Sequence, residues 1–164
     1  QLAITCALEH LTAMMADMLL ERDDVRQDMD ESMRPLWVWH AIEETEHKAV
    51  AYDVFQAAGG TYAERTFYLA FSTAALGVMS TYFTSRMMLN DRKNFSLKDT
   101  ASGLWRLWGL NGTFSSLIPT WLEYFKPGFH PWDHDNSDLI ARFKEEIQAH
   151  IAPQYKKGNR RTLQ

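Results

Sequence analysis

The stretch WHAIEETEHKAVAYDVF, residues 39–55, places two histidines and three glutamates within eight positions of an otherwise apolar segment. Apolar residues recur there at three- and four-residue spacing, which predicts a helix. At about 100° per residue, one stripe of that helix mixes apolar and polar side chains: Trp37, His40, Glu44, His47, Ala51, Val54 and Ala58. We therefore expect a carboxylate and an imidazole to lie on a buried helix seam.

Glu44 and His47 on this seam form a Glu-x-x-His pair. Burying either side chain is costly unless a partner compensates it, and the one-turn spacing lets an oxygen and a nitrogen reach the same cation. A surface ion pair is the alternative, because the motif also arises by chance in a chain with this many glutamates. The predicted burial favours a metal site. Glu43 lies at the edge of the seam, whereas Glu46 and Asp53 point away toward solvent.

The first predicted helix, Leu2–Glu21, supplies a further candidate ligand. In CALEHLTA, residues 6–13, Glu9 lies between the small residues Cys6 and Ala13 on one face. Four-helix dimetal carboxylate proteins add such a lone glutamate to each Glu-x-x-His pair. His10 is one step further round the helix, so we expect it to support the ligands from behind or to be exposed.

Two other groups of histidines are candidates for supporting roles. His40 can hydrogen-bond Glu44 one turn later, as a core histidine or as one that orients the ligand. The loop FHPWDHDN, residues 129–136, offers His130, Asp133 and His134. Loops of this composition are usually turn and capping chemistry, and a lid over the metal is the functional alternative.

Length, composition and charge limit the classes of protein to which this chain can belong. A chain of 164 residues that is 46% hydrophobic predicts one domain over residues 1–164. The net charge of −4 argues against a nucleic-acid binder. One cysteine excludes an internal disulfide and favours the cytoplasm. Because the chain opens inside a helix without a cap, we expect it to be the C-terminal part of a longer chain.

The pattern predicts an all-α fold, since no segment alternates with a period of two. Beyond the first helix, the second predicted helix runs from Pro35 to the Gly59-Gly60 pair and the third from Tyr62 to about Asn90. The fourth begins after a cap at Ser96 and is interrupted at Gly112, and TFSSLIPTWLEYF is then helical again with a kink or start at Pro119. The last helix runs from Asn136 or Ser137 to Pro153. Residues 22–32 are predicted to be a charged connection.

Residues 66–85 contain twenty uncharged positions, TFYLAFSTAALGVMSTYFTS. This run is long enough to span a bilayer. Its serines, threonines, glycine and tyrosines are equally typical of a helix buried in a bundle, which is the favoured interpretation. Contact with a membrane surface and a true span are the alternatives.

Three segments together resemble the family described as predicted metal-dependent hydrolases, which are helical and ferritin-like: ALEHLTA at 7–13, WHAIEETEHKAVAYDVFQAAGG at 39–60 and PGFHPWDHD at 127–135. The resemblance implies a dimetal carboxylate enzyme, with Glu9 as the lone carboxylate and Glu44 and His47 as the paired ligands. It also implies an upstream helix pair with a second set of ligands. This chain would then be a partial bundle, completed by a missing N-terminal half or by a second copy across a twofold axis.

The function expected from these ligands is hydrolysis of a small-molecule substrate by a metal-activated water. Glutamate oxygens with one imidazole per ion favour iron, with manganese or zinc as alternatives. Glu44 would bridge the ions, and Glu43 would orient or deprotonate the water. The same ligands would serve a di-iron oxidase or oxygenase acting on an apolar substrate. From another class, a membrane-associated structural or interaction subunit is the third hypothesis.

Overall fold

The computed structural model describes residues 1–90 and 96–158, with side chains up to Ala149. Its helices are α1 (Leu2–Glu21), α2 (Asp23–Gln27), α3 (Arg34–His47), α4 (Val50–Ala57), α5 (Tyr62–Asn90), α6 (Leu97–Trp108), α7 (Ile118–Glu123) and α8 (Ser137–Gly158). Two 3₁₀ turns, Ser115–Leu117 and Pro131–Asp133, complete the regular elements. Within these residues the fold is all-α, as predicted, and contains no strand.

Helix α1 lies at the centre and packs against α3, α4 and α5. Its buried face carries several alanines, including Ala7, Ala13 and Ala16, which let neighbouring helices approach closely. One apolar cluster joins the end of α1 to α3 and α8 through Leu20, Ile42 and Phe143, among others. A second joins α1, α4 and α5 to the segment that follows α7: Ala7, Tyr52, Leu69, Tyr124 and Phe129. Each fully buried large side chain contributes about 1.5–3 kcal/mol.

The predicted connection at 22–32 contains the short helix α2. Asp23 and Asp24 lie in its first turn, where negative charge is favourable. Arg26 is buried and donates to the Leu19 carbonyl at 2.5 Å, and also to the Leu20 carbonyl. This arginine therefore satisfies carbonyls that the end of α1 would leave without partners.

The predicted helix from Pro35 to Gly59-Gly60 is two helices, because it is interrupted at residues 48–49 between α3 and α4. Thr45 donates from its hydroxyl to the Ala41 carbonyl at 2.8 Å, a bond that tends to bend helices. The predicted cap at Ser96 is present, since its hydroxyl accepts from the Asp99 backbone N–H at 3.3 Å. The predicted end of the last helix at Pro153 is wrong, because α8 continues to Gly158.

Helix α5 corrects the expectation that residues 66–85 form a buried core helix. Only its first part packs inward, through Arg65, Leu69 and Ser72. The later side chains are more than half exposed, among them Val78, Met79, Tyr82 and Phe83. By length and hydropathy, the described helix that passes as a candidate span is α1. Because α1 is the core helix of the bundle, that result is weak evidence for a membrane segment.

Candidate metal centre

The charges of Glu44 and His47 on α3 act on the carboxyl group of Glu9 on α1. Partial burial raises the pKa of the Glu9 carboxyl, the negative charge of Glu44 raises it further, and His47 acts in the opposite direction. A charge shifts the pKa of another group in this way only when the two lie within roughly one Debye length of each other, about 10 Å at 0.1 M salt. The structure therefore places the three predicted ligands within electrostatic range of one another on α1 and α3, two helices that pack extensively together.

The expectation that these ligands lie on a buried seam is wrong. His47 is exposed, the side chain of Glu44 is 25% exposed, and Trp37 and Val54 on the same stripe are largely exposed. The face of α3 that enters the core instead consists of Val38, Ala41, Ile42 and Thr45. That face is rotated from the predicted stripe by roughly a third of a turn. The core-facing residues are smaller than the tryptophans, so they pack closely on α1, and the ligands lie on an open surface.

His40 makes the contact expected of it. Its Nε2 lies 3.5 Å from Oε1 of Glu44, one turn further along α3. The ring of Trp37 packs against the imidazole edge-on, with the centroids 6.2 Å apart. His40 is not a core residue, however, because its side chain is 53% exposed. Its position suits orientation of the Glu44 carboxylate rather than packing. Glu43, next to Glu44, is half-buried.

Two carboxylates and one imidazole suit a divalent ion in donor chemistry. They do not enclose such an ion, however. Within the described residues, no group of three or more His, Cys, Asp or Glu side chains is arranged to hold an ion by itself. Among the described residues, these three side chains therefore do not form a metal site by themselves.

His10 lies in a different pocket, so the expectation that it is exposed is wrong. It is 6% exposed and packs on the rings of Tyr124 and Phe129, with its Nε2 buried and without a hydrogen-bond partner. Burial lowers the pKa of His10 to about 4, helped by the charges of His134 and Arg65. The imidazole is therefore neutral near neutral pH.

The pocket beside His10 is a cavity of about 20 Å³. A space of this size holds roughly one water molecule. Its polar lining comes from His10, Asp17, Lys48, Thr120 and His134. Burial raises the pKa of the Asp17 carboxyl, against the opposing charge of Lys48. This polar pocket is separate from the cluster of Glu9, Glu44 and His47.

The loop at 129–136 is held by turn and capping bonds, the favoured sequence interpretation. Asp133 accepts from the His130 backbone N–H at 2.9 Å, and His130 Nε2 pairs with Asp53 at 2.9 Å. His134 pairs with Glu123 on α7. Among the described residues these side chains therefore bond to α4, α7 and the loop itself. No contact in this arrangement supports the predicted role of the loop as a lid over the metal.

Sequence reasoning did not single out the residues that anchor this loop. The buried ammonium of Lys48 donates to the His134 carbonyl at 2.6 Å and to Asn136 Oδ1 at 2.9 Å. Asn136 in turn donates to Asp17, which also accepts from Thr45. The available signal was a single acid in the apolar run MMADMLL, because a lone carboxylate on a core helix needs partners.

These observations define the class first: an α-helical protein in which carboxylates and a histidine on two packed helices lie within electrostatic range of one another. The chain belongs to the family of predicted metal-dependent hydrolases, whose family model matches residues 1–135. The match covers Glu9, Glu44, His47 and the loop that Lys48 anchors, and the family's metal dependence implies a divalent metal. No curated protein and no solved structure matches the chain.

Proposed function

We propose that this protein hydrolyses a small-molecule substrate at a dimetal carboxylate site, in which Glu9, Glu44 and His47 are ligands. In this proposal the described helices are part of a ferritin-like bundle. The remaining ligands come from polypeptide that covers the open face, either an upstream segment of the same chain or a second copy.

The observation that carries this proposal is that Glu9 on α1 and Glu44 on α3 lie within electrostatic range of each other across two packed helices. Two carboxylates in such positions repel each other, and a cation between them removes that repulsion. The described residues around them offer exposed apolar side chains, such as Trp37 and Val54, rather than a lysine or arginine paired with either glutamate. A divalent ion is the partner that satisfies both charges.

The proposed role of each residue in metal binding and hydrolysis follows from its position. Glu9 and Glu44 concentrate negative charge on the open face and bind the cation. His47 adds a nitrogen donor one turn from Glu44. His40 holds the Glu44 carboxylate in orientation through the 3.5 Å contact. Glu43, half-buried beside Glu44, accepts the proton of the attacking water.

A bound divalent metal would supply Lewis acidity, which polarises a carbonyl or phosphoryl oxygen and lowers the pKa of water. Iron is the preferred ion because oxygen donors outnumber nitrogen donors in this set, and manganese fits the same donors.

Titration with Fe²⁺ without oxygen, or with Mn²⁺, tests the ligand assignment. We expect Glu44→Gln and His47→Ala each to weaken binding by about tenfold or more, since each removes a direct donor. Glu46→Gln is the matched control, because Glu46 points away and pairs with Lys144 at 2.6 Å. Wild-type affinity in both ligand variants would refute the assignment.

Assays of the metal-loaded protein then test the reaction. Turnover of carboxylic or phosphoric esters without oxygen consumption supports the hydrolase. Iron that cycles between the ferrous and ferric states during substrate turnover would instead assign the site to an oxidase, which shares the same ligands.

A further inference from the structure

Four polar side chains form a network where α1, the end of α3 and the start of α8 meet. Lys48, directly after α3, donates to Asn136 Oδ1 at 2.9 Å, and the Asn136 amide donates to the Asp17 carboxylate on α1. The Thr45 hydroxyl on α3 shares its proton between the Ala41 carbonyl at 2.8 Å and Asp17 at 3.4 Å. Asp17, Thr45, Lys48 and Asn136 are called the polar network below.

The polar network is enclosed by protein. Thr45 is 0% and Lys48 3% exposed, and Asp17 and Asn136 are half-buried. A buried polar group that loses its partner is strongly unfavourable, and a buried charge more so. A shift of α3 along α1 would separate these partners. The polar network therefore opposes such a shift.

The polar network alternates with the proposed metal ligands at the end of α3. Thr45 directly follows Glu44, and Lys48 directly follows His47. One residue turns a side chain by about 100° around the axis, so Thr45 and Lys48 point into the core beside the two more exposed ligands. Any rotation or translation of this end of α3 therefore moves Glu44 and His47 together with the network.

Polar contacts join α1 to this segment on both sides of Glu9. On one side, the Cys6 thiol donates to the Ala51 carbonyl at 3.0 Å, and on the other side Asp17 belongs to the polar network. Along the chain, His47 likewise lies between the first network residue of α3 and Ala51. The part of α1 that carries Glu9 is thus held at both ends against the segment that carries His47.

Apolar packing alone fixes this alignment less well. The contact between α1 and α3 includes the small side chains of Ala16 and Ala41, and apolar contacts have no preferred direction. Buried hydrogen bonds are directional and favour one register of two packed helices. Register matters here because a slip of one helical turn would displace a ligand by about 5.4 Å.

We propose that the polar network positions the metal ligands, by fixing Glu44 and His47 on α3 relative to Glu9 on α1. Its four members are positioning residues, since none of them is a proposed ligand. They act by holding α3 in one register on α1. This inference rests on the proposed function, because it gives a role to the residues behind the site proposed there.

Mn²⁺ titration of folded variants tests the proposal. Thr45→Val removes one hydroxyl of the network and keeps the shape of the side chain, and Asn136→Leu removes the amide at its centre. Each should weaken Mn²⁺ binding at least about threefold, because the ligands lose their fixed alignment. Ser137→Ala is the matched control and should bind as the wild type does, since this exposed hydroxyl donates to Asp135, outside the network.

Thr45→Ser separates positioning from stability. It keeps the hydroxyl and loses a buried methyl group, so its melting temperature should fall while its Mn²⁺ affinity stays at the wild-type value. If the polar network only stabilised the fold, every variant that is folded at the titration temperature would bind Mn²⁺ as the wild type does.

The possible failures are distinguishable. Wild-type affinity in both Thr45→Val and Asn136→Leu overturns the positioning role and leaves the proposed metal site intact. Equal losses of affinity in Ser137→Ala or Thr45→Ser would trace the effect to general destabilisation, which also overturns that role. A wild-type protein without measurable Mn²⁺ binding overturns the proposed function, and the positioning role with it.

Discussion

His10 shows how position on a helix separates neighbouring residues. Glu9 and His10 are adjacent in sequence, yet the charges of Glu44 and His47 act on Glu9, while His10 packs against the rings of Tyr124 and Phe129. One residue turns a side chain by about 100° around the axis. Glu9 is therefore available to a cation, and His10 is a buried neutral imidazole next to a cavity of the size of one water.

The depressed pKa of His10 predicts acid sensitivity. The pKa is about 4 in the folded protein against 6.5 ordinarily, so between these values the unfolded chain binds more protons. Stability from this group is complete above about pH 6.5 and falls as the pH drops toward 4, by about 2 kcal/mol between pH 7 and 4.5. Urea unfolding at both pH values measures this loss, which His10→Gln should remove.

The control for this prediction is His40→Gln, because His40 is exposed and its removal should leave the pH dependence as in the wild type. The comparison uses the difference between the two pH values within each variant, so a general loss of stability in His10→Gln does not affect it. Equal pH dependence in wild type and His10→Gln would contradict the assignment of His10 as a buried neutral group.

At the scale of elements, the loop at 129–136 is fastened to the bundle by two buried cations. Lys48 bonds to His134 and Asn136, with its ammonium 4.4 Å from the ring centroid of Trp132. Arg65 on α5 donates to the Phe129 carbonyl at 3.4 Å and to the Tyr52 hydroxyl at 2.9 Å, and Tyr52 in turn donates to the Phe129 carbonyl. Long-range bonds of this kind hold this proline-containing loop in one conformation.

Replacing Lys48 by methionine should release this loop. The change leaves the His134 carbonyl and the Asn136 side chain without their donor, which costs about 3 kcal/mol of unfolding free energy. Hydrogen exchange should become faster at residues 129–136 while α3 and α8 stay protected. Lys144→Met, which removes only the exposed ion pair with Glu46, should cost less than about 1 kcal/mol. Unchanged exchange in the loop of Lys48→Met would show that Lys48 does not anchor it.

For the molecule as a whole, the proposed ligands do not form a complete metal site within the described residues, and this predicts a low metal affinity. A demonstrated monomer of this chain should bind Fe²⁺ or Mn²⁺ with a dissociation constant weaker than about 1 μM, that is, with less than about 8 kcal/mol of binding free energy. Metal titration during sedimentation analysis measures affinity and mass together. Tight binding by a proven monomer would mean that a further ligand lies within this chain.

Several features of the protein followed from local sequence. The all-α fold, the bounds of α1, the start of α5 and the Ser96 cap were predicted from periodicity and capping residues, because these signals act over only a few residues. That Glu9, Glu44 and His47 group together to hold a metal stays a prediction, and the metal dependence of the family to which the chain belongs supports it.

Tertiary structure alone decided which faces of the helices are covered. Periodicity identifies the residues that share a face, but burial depends on what packs against that face. Thus Val38 and Ile42 enter the core while Trp37 and His47 lie at the surface, and the later part of α5 and the apolar face of α6 remain open. The buried pairing of Lys48 with Asn136, 88 residues away in sequence, is long-range for the same reason. Local patterns specify helices, whereas their exposure is a property of the assembled molecule.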